Sequence, residues 1–246
     1  VAELEDALVG AATAARKARD AAARRLEKPS QESIVRAPCV DASTPRGLVG
    51  AIRSERLVDV DLSRLPESIR AGALGLQRSL AAAAERLAVD LYEHKDHFVH
   101  ELIQNADDAS YEAPAALELG LCEHWFFAAS NQAPGFLPGD VRALCDVNAS
   151  TKKLDASTTG CKGIGFKAVF AASRRAVVLS GDFAFDFDVD RDGPLGLVTP
   201  RWVGDDEARL LPAPILERWQ KGDTVVAVPL SEDGAADAAA SLRSLD

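Results

Sequence analysis

From Phe183 to Asp190 the chain reads FAFDFDVD, with phenylalanine or valine at 183, 185, 187 and 189 and aspartate at 186, 188 and 190. Side chains alternate between the two faces of a strand, so this run has one apolar and one acidic face. Such a segment is stable only within a sheet whose apolar side is covered. The preceding RAVVLSG pairs with it as a hairpin. LGLVTPRWV and DTVVAVPL read as further strands. ALELGLCEHWFFAAS alternates and then turns continuously apolar, as a buried strand does.

Upstream the period changes. Val1 to Lys28 is rich in Ala, Arg and Glu and reads as a solvated or partner-supported helix, with little to bury. Pro29 to about Arg64 reads as an irregular connector with a short strand at most. PESIRAGALGLQRSLAAAAERLAVDLY carries Leu74, Leu76, Leu80, Leu87 and Leu91 near helical spacing, one helix or two. Asp96 is placed to cap a helix through HFVHELIQNADDAS. PGDVRALCDV and FKAVFAAS read as short helices and GAADAAASLRSL as a closing one, with the long polar stretch NASTKKLDASTTGCKGIG between the first two. Helices first and strands later imply an α+β domain with a largely antiparallel sheet. The expected division is an N-terminal helix and connector over 1–64 and a globular domain over 65–246.

The formal charge is −10, which argues against nucleic acid as a partner of this segment, because phosphate backbones need a basic footprint. No apolar run reaches membrane-spanning length. Cys39, Cys122, Cys145 and Cys161 form no CxxC pair, which fits a reducing compartment, nucleus or cytoplasm, and no zinc site. The chain has no methionine, even at position 1, so a segment of a longer protein is expected, with its remaining domains and a protein client as partners.

Two stretches hold candidate chemistry. On a helical wheel Glu101, Asn105 and Asp108 fall within roughly 60°, beside an apolar arc of Phe98, Val99, Leu102, Ile103 and Ala106. Polar groups at the border of a buried face suit the rim of a pocket, although an ordinary amphipathic helix shows the same edge. GCKGIGFKAVF has glycines at 160, 163 and 165 ahead of a helix, where backbone N–H groups can approach an anion. It is no Walker A loop, since Phe166 stands where that motif requires lysine. Lys162 and Lys167 could add positive charge; a glycine-rich helix cap is the plain alternative. SNQAPGF, and Thr224 at the start of a strand, are unremarkable alone.

In their order, ELIQNADDAS, NQAPGF, STKK with GCKGIGFKAVF, and GDTVVAVPL resemble the nucleotide motifs of the Hsp90-like (GHKL, Bergerat-fold) ATPases, and most closely the sacsin and NO VEIN group. The resemblance covers about Leu76 to Leu230. It implies a two-layer α/β sandwich, a mixed and mostly antiparallel sheet covered by helices on one face. It also implies ATP bound with Mg²⁺, slow hydrolysis to ADP, and a lid over about Pro138 to Lys162 whose closure switches a larger protein. Glu101 matches the acid that activates water and Asn105 the Mg²⁺ ligand. Asp108, Asn131, Gly135 and Thr224 match positions around the base and its pocket. Ser150, Thr151 and Lys152 fall in the lid, and Gly160, Gly163, Ile164, Gly165, Phe166 and Lys167 in the phosphate loop. Asn131 stands where most of the superfamily has an adenine-reading aspartate, and Ala133 replaces a glycine. His94, His97, His100 and His124 read as structural. Three rivals remain: a nucleotide-sensing scaffold without hydrolysis, a histidine-kinase-type enzyme, and a purely structural α+β domain.

Overall fold

The computed structural model describes residues 41–91, 97–146 and 165–243, all within the compact unit Ala37–Asp246. The remaining residues, among them the expected helix over 1–28 and Ser150, Thr151, Lys152, Gly160, Gly163 and Ile164, lie outside this description. Among the described residues the helices are α1 (Pro45–Glu55), α2 (Glu67–Leu91), α3 (His97–Asp107), α4 (Pro138–Cys145), α5 (Val189–Asp192), α6 (Asp205–Ala208), α7 (Ala213–Gln220) and α8 (Glu232–Arg243). The strands are β1 (Leu117–Cys122), β2 (Trp125–Ser130), β3 (Arg175–Ser180), β4 (Phe183–Asp188), β5 (Arg201–Trp202) and β6 (Thr224–Pro229). They form one sheet in the order β1-β2-β6-β3-β4-β5, with every pair antiparallel. The α+β class and the hairpin of β3 and β4 are as expected; β6, last in the chain, lies at the centre.

Strand alternation sorts the core. Phe126, Ala128, Val178, Phe183, Phe185, Phe187 and Val228 face the main helical layer, where they meet Leu48, Val49, Ile52, Phe98, Val99, Leu102 and Val169. Four phenylalanine rings form a run of tilted and edge-to-face contacts: Phe166 to Phe187 at 5.4 Å, Phe187 to Phe185 at 5.7 Å and Phe166 to Phe170 at 6.3 Å. Those geometries match the ring quadrupoles and add to the burial of area. The opposite face is not bare. Phe127, Val177, Leu179, Val225 and Ala227 pack with Leu211 and Ile215 under α6 and α7. Apolar side chains on both faces of the central strands require cover on both sides.

Several elements depart from the sequence expectations. The apolar run over 116–130 is a hairpin rather than one strand, turned at Glu123 and His124, with Glu123 at φ 54°. Residues 45–55, read as part of an irregular connector, form α1, capped by the Thr44 hydroxyl, which accepts from the Gly47 N–H at 3.1 Å. Leu48, Val49 and Ile52 then enter the main core. α2 is one helix, but it buries Ala73 and Ala84 and leaves Leu74 and Leu76 exposed. LGLVTPRWV begins in a 3-10 segment, Gly193–Leu197, runs on irregularly, and sends only Arg201–Trp202 into the sheet. The helix expected from FKAVFAAS is a 3-10 segment, Gly165–Ala171. Asp186, on the acidic face of β4, is fully buried and is held by Arg175 at 2.9 Å, Arg201 at 2.8 Å and Arg191 at 3.3 Å. A buried carboxylate is tolerated when it is paired in this way. No helix among the described residues is long and apolar enough to cross a membrane.

Candidate functional site

A cleft opens between α3 and the sheet, at the ends of β2 and β6. Its apolar lining is Leu102 and Ala106 from α3, Leu117, Ala128 and Val226 from the strands, and Phe136, Leu144 and Phe166 above them. The small side chain of Ala128 leaves the space that the large apolar residues of neighbouring pleats fill elsewhere. Five polar residues enter this lining: Asn105, Ser130, Gln132, Asp140 and Thr224. An apolar concavity with a few convergent polar groups is the usual form of a small-molecule site.

A ledge of hydroxyl groups closes the sheet end of the cleft. Ser130 and Thr224 are register partners on β2 and β6, and both are buried. The Thr224 hydroxyl shares a 2.5 Å hydrogen bond with that of Ser180, and Ser180 Oγ accepts from the Phe136 N–H at 2.7 Å. The loop after β2 is thereby tied to the central strands. Gly135 belongs to this tie and not to the cleft wall: a Cβ there would stand 3.0 Å from the Gly181 nitrogen and 3.1 Å from Ser180 Oγ.

On the helical side, α3 buries Phe98, Val99, Leu102 and Ala106 and leaves Glu101 and Asn105 at the border, as the wheel predicts. The Asn105 amide lines the cleft. Glu101 is not among the lining residues: its carboxylate rests on Gly165, in the space a Cβ there would occupy. One carboxylate oxygen of Glu101 also lies 3.0 Å from Nε2 of His97, one turn earlier. The two motifs singled out in the sequence are therefore in direct contact. Asp108 follows the last residue of α3 and does not line the cleft.

Two more of the expected site residues, Asn131 and Lys167, have protein partners away from the cleft lining. Asn131 is not among the lining residues, and both ends of its amide are bound to backbone: Oδ1 accepts from the Ala116 N–H at 2.7 Å, and Nδ2 donates to the Pro114 carbonyl at 3.1 Å. Strand alternation is the reason. Ser130 faces the helices, so the next side chain turns away and the one after, Gln132, turns back into the cleft. The pleat of WFFAAS continued by two residues would have identified Gln132. Lys167, expected to add charge for a phosphate, is 3% exposed, and its ammonium donates to the Leu144 carbonyl beneath the Phe166 and Phe187 rings. Burial pushes its pKa down to about 7. The cysteine beside it, Cys145, is pushed up to about 11 by its own burial.

Of the expected site residues, the structure thus brings Asn105, Phe166 and Thr224 to one cleft and sets Glu101 against Gly165. Asp140 and Ser130 are lining residues that the sequence reading passed over. Asp140 was visible as the acidic residue near the start of α4, where its carboxylate accepts from the Leu137 N–H at 2.9 Å.

No family model matches this chain. Over 125 residues, half of its length, the chain is 39% identical to the protein NO VEIN of Arabidopsis thaliana, and that stretch spans 4% of the plant protein. The chain is related to NO VEIN through this segment.

Proposed function

We propose that this chain is an ATP-binding domain of the Hsp90-like, Bergerat type, working within a longer protein. The observation that carries the reading is convergence: segments far apart in sequence, around Asn105, Gln132, Phe166 and Thr224, line one cleft, and Glu101 touches the glycine that ends the GCKGIG stretch. The base would enter the apolar part of the cleft against the Ser130 and Thr224 ledge. Gln132, with one donor and one acceptor group, would read its edge. The phosphates would extend toward Gly165. The relationship to NO VEIN over this segment supports the same reading.

The residues present fit a magnesium ion shared with the phosphates. Asn105 offers a neutral amide oxygen at the cleft, and Mg²⁺ is commonly held by one or two protein oxygens, with phosphates and water completing the shell. When bound, the ion neutralises phosphate charge. Glu101 would orient a water and take its proton. Hydrolysis would be slow, and its output would be a conformational switch passed to other domains or a client protein. A non-hydrolysing nucleotide sensor is the second reading, and the uncharged Gln132 at the base position favours it.

Calorimetry with Mg-ATP, together with phosphate release by the wild-type chain and Glu101→Gln, tests the proposal. Binding accompanied by release that Glu101→Gln abolishes is the expected result. Binding without release selects the sensor, release unaffected by Glu101→Gln removes the catalytic role, and absence of ATP binding leaves a structural domain.

A further inference from the structure

We infer that His97 is the positioning residue of Glu101, an inference that rests on the ATPase reading above. Helix α3 places His97 one turn before Glu101, with Nε2 3.0 Å from Oε1 of the carboxylate. An exposed pair at this spacing is usually a loose surface contact. This one differs on its other side. Oε2 of the same carboxylate rests on Gly165, in the space a Cβ there would occupy, so a side chain at 165 would displace it. The Glu101 side chain is 20% exposed, against 47% for His97. The carboxylate is therefore contacted from two directions, by a ring nitrogen from its own helix and by the backbone of the 3-10 segment Gly165–Ala171.

The chemistry suits a general base. A carboxylate that rotated freely would present its oxygen to water in the right direction only part of the time, and small misplacements of a reacting group cost large factors in rate. A lysine or arginine at 97 would fix the carboxylate equally well, but its permanent charge would weaken the base. An imidazole can offer an N–H to a carboxylate without carrying a permanent positive charge. Gly165 contributes by the absence of a side chain.

The test compares the 246-residue chain with His97→Ala and His97→Gln. Phosphate release gives kcat, and calorimetry with Mg-ATP gives Kd. His97→Ala should lower kcat by about tenfold or more while Kd stays within about twofold, since the histidine orients the base and does not hold the nucleotide. His97→Gln places an amide N–H near the Nε2 position and should restore most of the rate. The inference is overturned if an active wild-type chain and His97→Ala share one kcat, if both variants lose rate equally, or if the loss appears in Kd. No phosphate release from the wild-type chain would overturn both the ATPase reading and this inference, an outcome distinct from the other three.

Discussion

Replacing Lys167 with methionine exposes an electrostatic load built into the core. The ammonium is buried 4.6 Å from the centroid of the Phe187 ring and 5.2 Å from that of Phe166. Its protein hydrogen bond runs to the Leu144 carbonyl. Burial is the largest cause of the fall in its pKa from 10.5 to about 7; the nearby Cys145 opposes the fall and Arg56 adds to it. In the unfolded chain the amine keeps its proton to the upper value, whereas the folded chain releases it near the lower one. Between the two the unfolded state binds more protons, so stability rises with pH in that window and is lost as pH falls through the folded value. From pH 7 to pH 9 this single group contributes a rise of about 2 kcal/mol. Methionine is close to lysine in shape and carries no charge, so Lys167→Met should lack the rise. The Cys145 thiol, pushed from 9.0 up to about 11 by burial with Lys167 opposing the shift, stays protonated in the folded state across this pH range, with or without the lysine, and so adds little to the difference. Urea unfolding of both at pH 7, 8 and 9 measures it. The stability of wild type relative to the variant should climb by about 2 kcal/mol across the series. Parallel profiles would refute the argument that the amine is neutralised by folding.

Four further outcomes are expected. Asn131→Ala should cost about 0.5–1.5 kcal/mol in urea unfolding, since the exposed Ala116 N–H and Pro114 carbonyl exchange the amide for water; Gln132→Leu should leave stability nearly unchanged and weaken ATP binding about tenfold by calorimetry. Phe187→Ala removes a fully buried ring shared by Phe166, Phe170 and Phe185 and should destabilise by about 3–5 kcal/mol, read from the urea midpoint. Thr44→Ala deletes the cap of α1 and should cost about 1 kcal/mol in the same assay.

The parts legible in the sequence were those governed by a single local period. The alternation of FAFDFDVD located β4 with its phenylalanines on the helical side, and the 3.6-residue period of HFVHELIQNAD located α3 and the border position of Glu101 and Asn105. Illegible were features decided by neighbours. α1 carries a proline at its first position and a threonine cap, a good start signal, yet its short apolar stripe becomes core only because the helix packs against β4, β5 and α4. The hairpin of β1 and β2 was hidden because its turn residues, Glu123 and His124, are not turn formers, and Glu123 accepts a left-handed conformation. Lys167 looked like a phosphate ligand because a linear motif shows adjacency and not direction; the turn of the 3-10 segment sends it inward. The backbone partners of Asn131 were hidden for a similar reason, since a one-residue step along a pleat reverses the face.

The placement of β6 makes the C-terminal strand the keystone of assembly. β2 pairs with β6 over 125–130 and 224–229, and β3 joins β6 on its other side through 177–179. Until that last strand is in position, the two hairpins share no neighbour, and each leaves a row of bare amide and carbonyl groups that another chain could capture. Thr224 and Val226 also form part of the cleft floor. A truncation ahead of Thr224 would therefore split the sheet, create two sticky margins and erase the binding cleft in one stroke.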